Sequence, residues 1–83
     1  MQEKILIALG QRIRQLRAAR GYSQEAFADA CGFHRTFIGT VERGESNISF
    51  LNLVRITAKL GLTMAEMLAD LEKAAGIDAG EDR

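Results

Sequence analysis

Apolar residues recur at helical spacing along the whole chain, and no segment alternates between apolar and polar positions as a half-buried strand would. A first helix is predicted over residues 3–20, with arginines on its outer face, and Gly21 ends it in the left-handed conformation. Its apolar face consists of Leu6, Leu9, Ile13 and Leu16. The pattern therefore predicts an all-α chain.

Two short helices follow, separated by a tight turn. Ser23 precedes the second helix as its N-cap, and Gly32 ends that helix after Cys31. The third helix is predicted to begin at His34 or Arg35 and to run to residue 44. The connection between the two helices is therefore only two or three residues long.

Two more helices complete the prediction. Ser49 caps a fourth helix, which Gly61 ends, and Thr63 opens a fifth, in which Thr63 and Glu66 match a reciprocal capping box. Phe50, Leu53, Val54, Ile56 and Leu60 are the apolar residues of the fourth helix. Met64, Met67, Leu68 and Leu71 form the apolar stripe of the fifth. We therefore predict a compact five-helix domain over residues 1–75, followed by a frayed acidic tail over residues 76–83.

Composition excludes several classes of protein. The chain has 83 residues, a mean hydropathy of -0.06, and no apolar run long enough to cross a membrane, so we expect a cytoplasmic protein without a membrane partner. Cys31 and His34 are the only residues of their types, so they cannot form a disulfide or a zinc site within the chain, and Cys31 is expected to be a small core residue. No set of catalytic residues is present. We expect no enzyme activity, no cofactor, no metal and no small-molecule ligand.

Charge is distributed unevenly, although the formal net charge is zero. Residues 1–44 carry seven basic and four acidic side chains, whereas residues 45–83 carry four basic and seven acidic ones. One half of the chain can therefore present a positive potential to a polyanion.

The segment over residues 24–43 predicts a helix-turn-helix. Two short helices that meet at a glycine turn cross steeply where a small residue such as Ala28 lets them approach. Phe33, Ile38 and Val41 would pack the third helix onto the core. The opposite face carries His34, Arg35, Thr36, Gly39, Thr40 and Arg43. Such a polar, cationic strip suits the major groove, where Arg pairs with guanine and Thr offers hydroxyl or methyl contacts.

Several motifs in a fixed order also resemble a known family. They are Arg14-Gln15-Leu16-Arg17, Gly21-Tyr22-Ser23-Gln24-Glu25, Arg35-Thr36-Phe37-Ile38, Val41-Glu42-Arg43-Gly44, Asn47-Ile48-Ser49 and Leu60-Gly61. Together they resemble the phage repressor and Cro-like (XRE) helix-turn-helix transcriptional regulators over residues 8–71. Within that family the chain is most similar to the controller proteins of restriction-modification systems, although those often carry Tyr at the position of Phe37 and a basic residue near Ser46.

The resemblance implies a set of contacts to double-stranded DNA. Gln24 and Arg43 would contact phosphates, with Arg17 and Asn47 assisting them. Arg35, Thr36 and Thr40 would face base edges, with His34 alongside, and Phe37 belongs to the same recognition segment. The implied function is a sequence-specific regulator whose recognition helix lies in the major groove.

The apolar surface predicts a homodimer, because one small core does not absorb all of it. The expected interface residues are Leu51, Met64, Met67, Leu68 and Leu71. Two copies related by a two-fold axis would read an inverted repeat with half-sites about 34 to 36 Å apart. The alternative is an antitoxin or partner-binding module in which the fifth helix and the acidic tail engage another protein and DNA binding is secondary.

Overall fold

A computed structural model describes residues 3–77, which form helices joined by turns and loops and contain no strand. The first four helices are α1 (Lys4–Ala19), α2 (Gln24–Cys31), α3 (Arg35–Glu42) and α4 (Phe50–Lys59). The fifth predicted helix occupies two short segments, α5 (Met64–Leu68) and α6 (Leu71–Ala74). The predicted all-α architecture is confirmed. Residues 78–83 of the predicted tail lie outside the described residues.

The predicted helix caps are present. The Ser23 hydroxyl accepts a hydrogen bond from the Ala26 amide at 3.0 Å, and Ser49 accepts one from the Asn52 amide at 3.2 Å. Thr63 and Glu66 form the reciprocal capping box at the start of α5. Since each cap satisfies backbone donors that the first turn leaves unpaired, these residues determine where the helices begin.

The core lies between α1 and the helix pair α2–α3, and α4 and the last two segments close it. Its fully buried large side chains come from every helix except the last, and they are Ile13, Phe27, Ile38, Ile56, Leu60 and Met67. The α1 segment packs against α3 and α6, while α4 packs against α2 and α5. Helix α3 is therefore held from behind by α1 and from the side by α2.

Two glycines allow α1 and α3 to approach closely. A Cβ added to Gly10 would overlap the carbonyl oxygens of Val41 and Glu42 at the end of α3. Gly44, just after α3, has a φ of +75°, and a Cβ there would come within 2.6 Å of the Ile7 Cα. Glycine is thus required at residue 44 by both backbone conformation and space. This close approach determines the position of the C-terminal end of α3, where Glu42 and Arg43 lie.

Candidate nucleic-acid interface

The turn between α2 and α3 has the tight geometry that the sequence predicted. Gly32 ends α2 with a φ of 78°, and the Phe33 amide donates a hydrogen bond to the Ala28 carbonyl at 2.8 Å. Ala28 is 1% exposed, as expected of the residue where the helices meet. The turn therefore presents the N-terminal end of α3 at the protein surface, as a helix-turn-helix requires.

Helix α3 divides into a buried and an exposed side. Ile38 and Val41 are buried in the core. We call the exposed set the recognition face, and it comprises His34, Arg35, Thr36, Thr40, Arg43 and, in the following loop, Asn47. All of these residues are exposed except Thr40, which is half-buried. The structure thus brings six of the predicted DNA-binding residues onto one short helix and its flanks.

Both arginines of the recognition face pair with acidic residues at the surface. Arg35 Nη1 lies 3.1 Å from Glu25 Oε2, and Arg43 Nε lies 3.1 Å from Glu45 Oε1. The Arg35 side chain is 66% exposed and its Glu25 partner 70%. Ion pairs this exposed contribute little to stability, so a phosphate or a base edge can replace the carboxylate at small cost.

The Thr40 hydroxyl bonds to its own helix. Its Oγ1 donates toward the carbonyl oxygens of Thr36 at 2.8 Å and Phe37 at 2.9 Å. The hydroxyl proton is therefore used within α3, as is common for threonine in helices. Thr40 can therefore offer a base its methyl group and the lone pairs of its hydroxyl oxygen.

Phe37 is half-buried and belongs partly to the core. Its ring centroid lies 4.8 Å from that of Phe33, with the ring planes tilted by 52°, and the Arg55 guanidinium lies 5.0 Å from the Phe33 centroid. Phe37 has no polar group, so any contact to DNA would be made by the exposed part of its ring. Its packing on Phe33 also stabilises the start of α3.

Arg17 occupies a different place from the one that the resemblance implied. Its Nε lies 2.6 Å from Glu42 Oε2 and its Nη2 lies 3.1 Å from Glu42 Oε1, while Nη1 donates to the Tyr22 carbonyl at 2.8 Å. The Arg17 side chain is 12% exposed and that of Glu42 is 3% exposed. This bidentate pair connects α1 to α3 beneath the recognition face, so Arg17 has a structural role that the sequence did not predict, and its contact with DNA stays a prediction.

Gln24 is the N-terminal residue of α2 and lies against α3. Its Nε2 donates to Glu42 Oε1 at 3.0 Å. The position of an added Cβ at Gly39 would be 3.2 Å from Arg43 Nη1 and 3.6 Å from Gln24 Oε1. Gly39, expected on the exposed face, is in fact buried, because Gln24 and Arg43 cover it. The ends of two predicted phosphate contacts therefore both lie close to Gly39.

Arg12 in α1 and Arg20, the residue directly after α1, bond to distant backbone carbonyls, which sequence reasoning missed. Arg12 Nη1 donates to the carbonyl oxygens of Met67 at 2.8 Å and Ala69 at 2.7 Å, at the end of α5. Arg20 Nε donates to the Leu60 carbonyl at 2.8 Å, at the end of α4. A cation near a helix C-terminus satisfies unpaired carbonyls and opposes the negative end of the helix dipole.

The predicted dimer residues separate into exposed and buried ones. Leu51 is 77% exposed and Leu68 is 38% exposed, and Phe50, which the sequence placed on the apolar face of its helix, is 68% exposed. Met64 is half-buried, and it packs against the core. Met67 and Leu71 are 0% and 5% exposed, so they are core residues of one chain. Their assignment to an interface is corrected, because a buried side chain has no surface to offer a partner.

The single cysteine is buried, as expected. Burial raises the pKa of the Cys31 thiol above its ordinary value of 9.0, although the positive charges of Lys59 and Arg55 act in the opposite direction. A thiol with a raised pKa is largely protonated at neutral pH and reacts slowly. Within residues 3–77, no three His, Cys, Asp or Glu side chains are grouped to hold a metal ion, and no helix is long and apolar enough to span a membrane.

Comparison with known proteins identifies the class to which this fold and face belong. The helix-turn-helix family model HTH_3 matches residues 13–67, and the chain belongs to this family of DNA-binding transcription regulators. The control protein C.MunI of Mycoplasma sp is 39% identical over 70 residues, which cover 83% of this chain and 95% of that protein.

Solved structures give the same relationship. The restriction-modification controller protein C.AhdI of Aeromonas hydrophila has a TM-score of 0.71 and 40% identity, over 75% of this chain and 94% of that one. The controller protein C.Esp1396I, solved as a tetramer in complex with its natural 35-base-pair operator, has a TM-score of 0.75 and 25% identity over 86% of this chain and 93% of that one. The chain is therefore similar to restriction-modification controller proteins in both sequence and fold.

Proposed function

We propose that this protein is a sequence-specific transcriptional regulator that binds an inverted-repeat operator as a homodimer, with α3 in the major groove. The observation that carries the proposal is the recognition face, which gathers exposed cationic and hydroxyl side chains on a helix that two neighbouring helices hold in place. The similarity to controller proteins supports the same function. Control of restriction-modification genes is the specific role that we propose.

We assign the contacts by the position of each side chain. Arg35 and Thr36, at the exposed start of α3, would face base edges, with His34 and Thr40 beside them. The flanking residues would bind the DNA backbone, and they are Gln24, Arg43 and Asn47. Residues 1–75 would act as one DNA-binding domain. We propose no catalytic activity and a cytoplasmic location, since the residues that support a function are those of a DNA-binding surface.

The dimer interface that we propose uses the exposed apolar side chains of α4 and α5. Leu51, Phe50 and Leu68 leave apolar area in water that a second copy would cover. Leu51→Arg or Leu68→Arg is expected to lower both the dimer mass in sedimentation and the affinity for the operator, because each places a charge in the interface. A variant that stays fully dimeric would contradict this assignment.

Selection from a random duplex pool at near-physiological salt, followed by sequencing of the retained DNA, tests the function. The proposal predicts an enriched inverted repeat with half-sites about one DNA turn apart. Binding only at low salt, with no enriched sequence, would overturn the proposal, because such binding is purely electrostatic. That outcome would favour the antitoxin or partner-binding alternative.

A further inference from the structure

The Gln24 side chain is fixed in a way that a free surface glutamine is not. Among the described residues its amide has one side-chain hydrogen bond, from Nε2 to Glu42 Oε1 at 3.0 Å. A carboxylate only accepts hydrogen bonds, so the NH₂ group of the amide must face Glu42. One N–H of that group is then used, and the second is left for another acceptor.

Glu42 is itself held rigidly, because both of its oxygens are bound. Arg17 Nε lies 2.6 Å from Oε2, and Arg17 Nη2 lies 3.1 Å from the same Oε1 that Gln24 contacts. The charge of Arg17 compensates that of Glu42, so the buried pair adds no net negative charge beside the DNA surface. The chain Arg17–Glu42–Gln24 thus extends from α1 through α3 to the first residue of α2.

Gly39 supplies the space in which this arrangement operates. An added Cβ would lie 3.2 Å from Arg43 Nη1, 3.6 Å from Gln24 Oε1 and 3.9 Å from Gln24 Nε2. The ends of both side chains therefore lie within 4 Å of one point beside the backbone of α3. A glycine in a helix interior costs roughly 1 kcal/mol of stability relative to alanine. We attribute the glycine to the space that the Gln24 and Arg43 side chains need at this position.

We propose that Glu42, anchored by Arg17, and Gly39 are positioning residues that aim the Gln24 amide and the Arg43 guanidinium at one backbone phosphate. Neither Glu42 nor Gly39 contacts the DNA; Glu42 orients the amide and Gly39 leaves room for both donors. Two oriented donors on one phosphate fix the register of α3 along the groove. Base contacts depend on this register but do not set it by themselves. The inference rests on the proposed DNA-binding function, and it explains how the side chains that contact phosphate are oriented.

A double-mutant cycle tests the role of Glu42, using the duplex recovered in the selection experiment. Glu42→Gln and Gln24→Ala are each expected to weaken binding about ten-fold, because a charge-assisted hydrogen bond is lost or misdirected. The double variant is expected to bind as Gln24→Ala does, within about two-fold, because Glu42 acts through Gln24. Losses that multiply would show that Glu42 affects binding by another route and would overturn the proposal.

The matched control is Glu72→Gln in the exposed first turn of α6. It removes the same negative charge at a distance from Gln24, and we expect unchanged or slightly tighter binding. Removal of a negative charge ordinarily strengthens binding to DNA. If Glu42→Gln weakens binding and Glu72→Gln does not, the effect comes from the orientation of the Gln24 amide and not from the loss of a negative charge.

Gly39→Ala tests the proposal without disturbing the ion pair. The new methyl group should raise the melting temperature, because alanine favours the helix, and yet weaken operator binding about three-fold by displacing the end of Arg43. If Gly39 were only structural, the substitution would not raise the melting temperature and at the same time lower the affinity for the operator. Unchanged affinity in a folded Gly39→Ala protein would contradict the proposal even if Glu42→Gln fails to fold.

Single methylphosphonate substitutions along the selected duplex locate the phosphate. The wild-type protein is expected to lose affinity at one position per half-site, and Gln24→Ala and Arg43→Ala should both become insensitive at that same position. If Gln24→Ala and Arg43→Ala become insensitive at different positions, the two side chains bind different phosphates and the proposal is wrong. If the wild type selects an operator but shows none of these effects, only this inference fails; if it selects no sequence at all, the proposed function itself fails.

Discussion

Three arginines on or directly after α1 resemble those of the recognition face in the sequence but differ from them in their hydrogen-bond partners. Arg12, Arg17 and Arg20 donate to carbonyl or carboxylate oxygens outside α1 at 2.6 to 3.1 Å. Arg35 and Arg43 pair only with exposed carboxylates, at 3.1 Å. The basic half of the chain thus contains one group of cations that holds the fold together and another that remains available to a ligand.

The difference shows that a count of basic residues does not measure a nucleic-acid surface. Of the seven basic side chains in residues 1–44, Arg12, Arg17 and Arg20 bond to acceptors in distant segments of the chain. Arg35 and Arg43 pair with exposed carboxylates. The recognition face nevertheless presents two exposed arginines at the two ends of one short helix, which explains how a chain of zero net charge can belong to a DNA-binding family. Local presentation of charge, rather than total charge, determines the surface.

The largest expected effect comes from the buried pair. Arg17→Met should lower the free energy of unfolding by about 3 to 5 kcal/mol, because it leaves the buried Glu42 carboxylate without its counter-charge. Urea unfolding followed by circular dichroism measures the change. A loss below about 0.5 kcal/mol, the range of ordinary surface substitutions, would place Arg17 in the same group as Arg35.

Arg35→Ala should have the opposite profile. We expect unfolding to change by less than about 0.5 kcal/mol, because the Arg35–Glu25 pair is exposed. Discrimination between the selected operator and a duplex changed at one base pair should fall by about 1 to 3 kcal/mol, the value of one bidentate base contact. If a binding titration shows that Arg35→Ala weakens binding to both duplexes equally, Arg35 contacts a phosphate rather than a base.

Arg20→Ala should have an intermediate effect on stability. The Leu60 carbonyl at the end of α4 loses a charged donor, so we expect a loss of about 1 kcal/mol in the free energy of unfolding. The matched control is Arg14→Ala on the same helix, since Arg14 is exposed and forms no side-chain hydrogen bond within residues 3–77. Equal melting temperatures for the two variants would show that the contact to Leu60 contributes nothing.

The smallest expected effect tests the surface partner of Arg35. Glu25→Gln releases Arg35 from its carboxylate and should raise affinity for a duplex without the operator about two-fold at low salt, because an exposed pair is weak. Glu72→Gln changes the net charge equally and should have a smaller effect. If Glu25→Gln binds that duplex more weakly than the wild type, Glu25 supports DNA binding rather than competing with it.

The starts of α2, α4 and α5 could be predicted from the sequence because a local side-chain cap decides each of them. Ser23, Ser49 and Thr63 bond to backbone amides within three residues, so their role is visible in the order of residues alone. The recognition face could be predicted for a related reason: helical spacing places Thr36 and Arg43 on the side opposite to Ile38 and Val41.

The contacts that the sequence did not reveal all join distant segments. Arg17 and Glu42 are 25 residues apart, and Arg12 reaches carbonyls 55 and 57 residues away. The break between α5 and α6 belongs to the same group. Asp70 has a φ of 55° where no glycine or proline signals an end, and Arg12 bonds the Met67 and Ala69 carbonyls beside it. The buried position of Met67 likewise depends on how the segments assemble.

The most direct test of where DNA binds is a titration of the ¹⁵N-labelled protein with the selected duplex, followed by backbone amide shifts. We predict the largest changes over residues 23–25 and 34–47, which contain the start of α2, the recognition face and its loop. The outer face of α1, represented by Gln11, Arg14, Gln15 and Ala18, should change little. Largest changes on that face of α1, with α3 unaffected, would contradict the division between structural and ligand-binding arginines.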